Sequence, residues 1–268
     1  MSDSSFDRGQ FAARLSTHRL GRNLVTLAET TSTNDDAWAA FAAGAPGGTV
    51  VVADAQTRGR GRLGRLWHLA PARGLAMSVL MRVERDADPL ATLPLAAGLA
   101  LVTGLDRLGV RAELKWPNDA LLGGRKLGGV LCEGRHSTAR LEAAVVGVGV
   151  NVSQGPEDFP PGLRTLATSL ALAGHHLSRE EVAAETLNAF EPLWTELTEG
   201  DPHRVLEAWS RRASFWGEPV RVETPAGPVR GVARALDRDG ALLLEAAGGA
   251  LTRVVAGDVE PGSNAERR

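Results

Sequence analysis

Residues 49–83 read TVVVADAQTRGRGRLGRLWHLAPARGLAMSVLMRV. Two apolar, β-branched runs, 49–55 and 75–83, bracket a segment rich in glycine and arginine. Each run has the length and composition of a buried strand. The connecting segment carries the charge. From Ala55 to Val83 there are six arginines and no acid, although the whole chain has a net charge of -2. Glycine lets a backbone turn tightly and present its N–H groups, and arginine offers a forked donor that fits phosphate or carboxylate. A strand–loop–strand unit of this kind predicts a pocket for an anionic ligand.

Three other readings of the loop are weaker. Gly59, Gly61 and Gly64 match the spacing of a dinucleotide fingerprint, which needs a helix to open at the glycines. Residues 65–74 instead contain His68, Pro71 and Gly74 and do not read as a helix. An arginine-glycine RNA-binding segment would ordinarily be long and disordered, whereas this one is short and wedged between strands. A merely solvated loop leaves the missing acids unexplained. A Walker loop is absent from the sequence.

Working outward, residues 23–29 read as a strand. Ser32-Thr33-Asn34 then opens a helix over 35–43, with Thr33 and Asp36 as a capping arrangement. Residues 89–108 predict a long apolar helix with Pro near its start. A short strand, 112–116, ends at Pro117, and a hairpin follows over 120–122 and 126–133. Residues 141–152 form a long buried strand. Helices are expected near 165–173, 179–199 and 202–213. After Gly217 the chain changes to short alternating runs separated by turns, which predicts a small β-barrel. The expected domains are therefore 1–214 and 215–268.

The chain has 268 residues, 43% hydrophobic and 23% charged, enough for a sizeable core. No apolar run is long enough to span a membrane, and an export signal is not evident. A single cysteine, Cys132, excludes an internal disulfide and suits a reducing, cytoplasmic setting. Among its apolar neighbours it reads as a structural thiol. Of 30 basic residues only two are lysine, Lys115 and Lys126, and both fall in the hairpin region. Arginine-favouring codon usage accounts for the bias, not for this clustering. Lysine supplies a compact ammonium that arginine cannot imitate. Beside the lysines lie Asn118 and Asp119, which serve as turn residues or as groups that orient a cation or hold a metal. Gly128-Gly129 lets a ligand approach the strand closely. Asn151 ends a buried strand, as a cap or as a ligand contact.

These elements together resemble the biotin protein ligase family. The matching residues are Ser32-Thr33-Asn34, Gln56, the loop from Gly59 to Trp67, Lys115-Trp116-Pro117-Asn118-Asp119, residues 125–129 and Gly149-Val150-Asn151. The resemblance covers roughly 25–260 and implies an α+β fold. Its mixed or antiparallel central sheet with helices would be class II aminoacyl-tRNA synthetase-like, followed by a C-terminal SH3-like β-barrel. It implies activation of biotin with ATP and Mg²⁺ to biotinoyl-5′-AMP, then transfer to a lysine of a biotin carboxyl carrier protein domain.

It also implies roles. Ser32, Thr33, Asn34 and Gln56 would surround biotin's ureido head. Arg60, Gly61 and Arg62 would close over biotin and the acyl phosphate. Lys126, with Arg62, would be catalytic. Gly59, Arg62, Arg65, Trp67, Asn118, Asp119 and Asn151 would serve ATP, with Asp119 as the metal contact. Leu63 replaces a basic residue of some members. The short stretch before the first strand predicts no DNA-binding repressor domain. A homodimer through sheet edges is compatible with the resemblance. A lipoate or octanoyl ligase-like enzyme is the nearest alternative, and an RNA-binding module the alternative of another class.

Overall fold

In the computed structural model, which describes residues 5–83, 89–137, 140–199 and 201–262, the two opening runs become neighbouring strands of a seven-stranded sheet. Its strands are β1 (Leu24–Thr30), β2 (Val50–Gln56), β3 (Gly74–Arg82), β4 (Glu113–Lys115), β5 (Asp119–Leu122), β6 (Arg125–Ser137) and β7 (Arg140–Asn151). They lie in the order β1-β2-β3-β7-β6-β5-β4. β1 and β2 are parallel and the remaining neighbours antiparallel.

β3 is buried along nearly its whole length because helices cover both faces of the sheet. On one face, α2 (Thr33–Ala42) packs Ala37, Trp38 and Phe41 against Val51, Leu80, Ala143 and Val145. On the other, α3 (Leu93–Arg107) and α4 (Arg179–Glu199) bury a large apolar core with α1 (Arg8–Arg14) and α5 (Pro202–Ser210). Asp7 caps α1 by accepting from the N–H groups of Gly9 and Gln10.

The C-terminal segment forms a five-stranded antiparallel sheet in the order β11-β10-β9-β8-β12. Its strands are β8 (Pro219–Thr224), β9 (Gly227–Leu236), β10 (Leu242–Glu245), β11 (Leu251–Val254) and β12 (Asp258–Pro261). Val222, Leu242 and Leu244 join the same apolar core as Leu95 and Trp209. The Trp116 indole donates to the Gly240 carbonyl at 3.0 Å, tying the β4–β5 hairpin to this small sheet.

Four expectations need correction. α2 has no side-chain cap, because Thr33 is engaged by Gln56 and Asp36 accepts from the Thr30 hydroxyl. The helix expected from residue 89 starts at Leu93, and residues before it close a turn through Thr92. Residues 165–173 hold only a short 3-10 turn, Ala171–Ala173. The cause is tertiary: the Leu166 carbonyl accepts from the Lys126 N–H and the Thr168 N–H donates to the Lys126 carbonyl, so neither group is left for a local helix. Finally, β12 escaped the strand reading, being four residues long and containing Pro261.

Candidate active site

A cavity of about 640 Å³ opens across the large sheet. It is lined by the arginine loop, by segment 159–167, by the floor strands β6 and β7, and by Asp258 and Glu260 of β12. Every site residue proposed from sequence lines it except Gly59 and Gly128. Gly59 is buried beneath the loop, where its carbonyl accepts from Trp67 N–H at 2.9 Å. A Cβ there would stand 2.6 Å from the Trp67 carbonyl oxygen, so the loop's close packing at this point requires Gly59.

At one end the start of α2 meets β2 and β3. The Thr33 N–H and hydroxyl donate to Gln56 Oε1 at 2.9 and 3.2 Å. Ser78, fully buried on β3, donates to Asn34 Oδ1 at 2.6 Å and lies 2.7 Å from Thr33 Oγ1. This network fixes the direction of each polar group. It leaves the buried Asn34 amide nitrogen with no partner. Floor residue Gly147 makes room for Asn34, since a Cβ there would fall 2.4 Å from Asn34 Oδ1.

Farther along the floor, Trp67 lies over Gly149, and its indole N–H is also buried without a partner. Lys126 Nζ is 5.9 Å from the Trp67 ring centroid and 2.7 Å from Asp119 Oδ1. Gly129 leaves space for that pair, because its absent Cβ would be 3.1 Å from Asp119 Oδ1. Gly128 has a different purpose from the one expected: it accommodates the neighbouring strand, with a Cβ only 2.6 Å from the Gly149 carbonyl.

The loop's positive charge is answered by acids far away in sequence. Arg60 forms a bidentate pair with Asp35 at 2.7 Å on each arm and reaches Glu133 at 3.3 Å. The hydrogen bond from Arg60 holds the Asp35 carboxyl below its ordinary range, and Asp35 in turn raises the Arg60 pKa. Arg62 Nη1 donates to Asn118 Oδ1 and to the Gly257 carbonyl, each at 3.2 Å, and lies 3.8 Å from Asp258. Burial lowers the Arg62 pKa, opposed by Asp258 and Asp119. A guanidinium stays charged even so, and this one sits partly out of water. Arg65 pairs with Asp258.

Asn118 and Asn151 both serve the scaffold. Asn118 Nδ2 donates to the Val130 carbonyl at 2.6 Å, and Asn151 Nδ2 to the Thr168 carbonyl at 2.9 Å. Gln154 Nε2 bonds Asn151 Oδ1 at 3.0 Å. Leu63 is 59% exposed, outside the cavity lining, with a left-handed φ of 55°. Burial pushes the Cys132 thiol pKa up, which suppresses the nucleophilic thiolate. Among the described residues no group of three or more His, Cys, Asp or Glu is placed to hold a metal ion. Sequence reasoning missed Ser78, Gly147 and Asp258. Ser78 was visible as one polar residue inside an apolar run; Asp258 carried no local signal.

Fold and cavity together define an α+β protein whose cleft across the large sheet has oriented polar groups at one end and cations at the other. Residues 27–151 match the Biotin/lipoate A/B protein ligase family, and residues 215–261 match the Biotin protein ligase C terminal domain. The chain is 36% identical over 252 residues to the bifunctional ligase/repressor BirA of Bacillus subtilis, covering 92% of this chain and 77% of that one. It is 37% identical over 245 residues to the biotin--[acetyl-CoA-carboxylase] ligase of Mycobacterium tuberculosis, covering 89% and 88%. Among solved structures, the biotin protein ligase of Aquifex aeolicus in complex with biotin and ATP superposes with a TM-score of 0.76 at 29% identity, covering 89% of this chain and 98% of that one. The chain belongs to the biotin protein ligase family.

Proposed function

We propose that this chain joins biotin to a protein lysine at the cost of ATP, with the 640 Å³ cavity as the site of both half-reactions. The observation that carries this is the pair of buried, unpartnered donors, Asn34 Nδ2 and Trp67 Nε1, in a cavity also lined by Arg60, Arg62, Arg65 and Lys126. A buried donor without an acceptor is costly, so a ligand that supplies acceptors is favoured there. The cations are opposite in sign to a carboxylate and a triphosphate.

In the first half-reaction a carboxylate oxygen of biotin attacks the α-phosphorus of ATP. The bond to the bridging oxygen breaks and pyrophosphate leaves. Two anions must approach, and each pair of unit charges at ~4 Å repels by about 1 kcal/mol in water and about 4 at an effective dielectric of 20. Lys126 faces this junction and offsets the repulsion, with Arg62 beside it. Ser32, Thr33, Asn34 and Gln56 hold the ureido head. Trp67 and Asn118 border the nucleotide. In the second half-reaction a carrier-domain lysine amine attacks the mixed anhydride and AMP leaves.

ATP is taken as its Mg²⁺ complex. Asp119 fits a contact to that ion poorly while Lys126 holds it at 2.7 Å, whereas Glu260 is a further carboxylate of the lining. No described helix is long and apolar enough to cross a membrane. The lone thiol suits the cytoplasm, and the edge of β1 is where a homodimer would form by strand pairing. The test is incubation with labelled biotin, ATP, Mg²⁺ and a carrier domain, scored for transfer. Pyrophosphate exchange supported by lipoate and not by biotin would overturn the assignment.

A further inference from the structure

The arginine loop is bonded to itself at its base. The Trp67 N–H donates to the Gly59 carbonyl at 2.9 Å and the Gly61 N–H to the Arg65 carbonyl at 2.7 Å, and Arg60 pairs with Leu66 as an antiparallel bridge. Residues 59–67 are therefore a small hairpin, and arginine side chains tie it to the rest of the protein. Arg62 and Arg65 reach Asp258 on β12. Arg60 reaches different elements: Asp35 in the first turn of α2 and Glu133 on β6.

This second attachment departs from the family resemblance, which implies that Arg60 closes over biotin and the acyl phosphate. In the structure three bonds from its two Nη atoms go to protein carboxylates, at 2.7 Å to each Asp35 oxygen and 3.3 Å to Glu133 Oε1. Both acids are well placed to hold it. Asp35 follows Asn34 directly on α2, so it is carried on the element that builds the head pocket. Glu133 Oε2 accepts from the Trp38 indole N–H at 2.8 Å, which leaves Oε1 for Arg60. Neither acid lines the cavity. The Arg60 side chain is 37% exposed and that of Asp35 48%. A bidentate pair in such a setting is firm in geometry and modest in strength. Those are the properties of a fastening that must open at each turnover.

We propose that Asp35 and Glu133 are positioning residues: through Arg60 they fasten the 59–67 hairpin over the occupied cavity and set how long the acyl-adenylate stays bound. This rests on the biotin-activating function proposed above. The dwell time matters because a mixed anhydride released into water acylates any exposed amine. The amine nitrogen bonds the acyl carbon, the bond to the phosphate oxygen breaks, AMP leaves with that electron pair, and the amine's proton passes to water. Fastening the hairpin reserves the intermediate for the carrier domain.

The experiment compares the full-length protein with Asp35→Asn, Glu133→Gln and the double variant, which remove charge but keep shape. Adenylate is formed on each protein from labelled biotin and ATP. Three quantities are read: its rate of release after an unlabelled chase, labelling of serum albumin as a bystander, and pyrophosphate exchange at saturating biotin and ATP. Release and bystander labelling should rise about three- to tenfold in Asp35→Asn and further in the double variant. Exchange at saturation should stay within about twofold, since neither acid lines the cavity. Salt supplies a readout that a purely structural role would not move. Release from the wild type should quicken with ionic strength more steeply than release from the double variant, which lacks the screened pair. Equal release from wild type and double variant at low salt would overturn the proposal. So would faster release with an equal fall in exchange, which marks a general defect. A wild-type protein that catalyses no biotin-dependent exchange would instead refute the function on which the proposal stands.

Discussion

Replacing Gly149 by alanine tests whether the cavity floor is bare so that Trp67 can lie on it. The added Cβ would fall 2.5 Å from Trp67 Cε2 and 2.8 Å from both Cζ2 and Nε1. Carbon atoms in contact normally sit ~3.5–4.0 Å apart, so one side must retreat by about 1 Å. The strand is held in place, because β7 is bonded to β3 and β6, with Gly149 opposite Ala76 and Gly129. The ring is the part that yields, carried as it is on the loop. Overpacking an immobile site costs about 1–3 kcal/mol, and a swinging ring keeps the cost near the low end. For a chain of this size that lowers the melting temperature by roughly 2–4 °C.

Ligand binding suffers more. Losing an aromatic anchor typically removes about 2 kcal/mol, or roughly 30-fold in affinity. The assay is biotin-dependent ATP–pyrophosphate exchange with ATP and biotin varied separately, alongside a thermal melt. The expected outcome is an ATP KM raised by about that factor in a folded protein. KM values within twofold of wild type would refute the stacking argument. A melting temperature lowered by more than ~10 °C would show that the strand, not the ring, had given way.

Three other outcomes follow from the same geometry. Lys126→Ala should reduce exchange by orders of magnitude but leave the melt nearly unchanged, because the Lys126 side chain is 39% exposed and its pair with Asp119 adds little to stability. The buried Asp54–Arg179 pair, 2.7 Å apart and closed by Ser5, is the opposite case. Burial works to raise the Asp54 pKa, yet the Ser5 N–H and Arg179 overcome it and hold the pKa below its ordinary 3.8. A depressed carboxylate contributes stability above the unfolded pKa and loses it as pH falls towards the folded one. Asp54→Asn should therefore cost about 3–5 kcal/mol near neutrality and flatten the acid limb of a stability–pH curve below about pH 4. Trypsin should cut the loop at Arg58 or Arg65 more slowly once biotin and ATP are bound, and equal rates would count against loop closure.

Much of the fold was legible because local signals and tertiary demands agree. The apolar, β-branched runs 49–55 and 75–83 fall on the strands Val50–Gln56 and Gly74–Arg82 of the large sheet. Residues 179–199 are helical as expected. The stretch 165–173 failed because its backbone is claimed by Lys126, a demand that no local pattern reveals. The site divides similarly. The residues proposed for the ligand stand in quotable clusters and, Gly59 and Gly128 apart, line the cavity. Their supports were missed, since Ser78 and Gly147 matter only through Asn34, which approaches from another element. The loop looked uncompensated because its acids lie far off in sequence: Asp35 and Glu133 are 25 and 73 positions from Arg60, and Asp258 is 193 from Arg65.

The placement of both lysines in one cleft has a practical consequence for anyone labelling this protein. Reagents that modify side-chain amines find no such target on its outer surface. Dye coupling or cross-linking aimed at lysine would strike the cleft itself, and a bound ligand would shield the very groups that react. The extent of modification, read by mass, would therefore report how fully the cleft is filled.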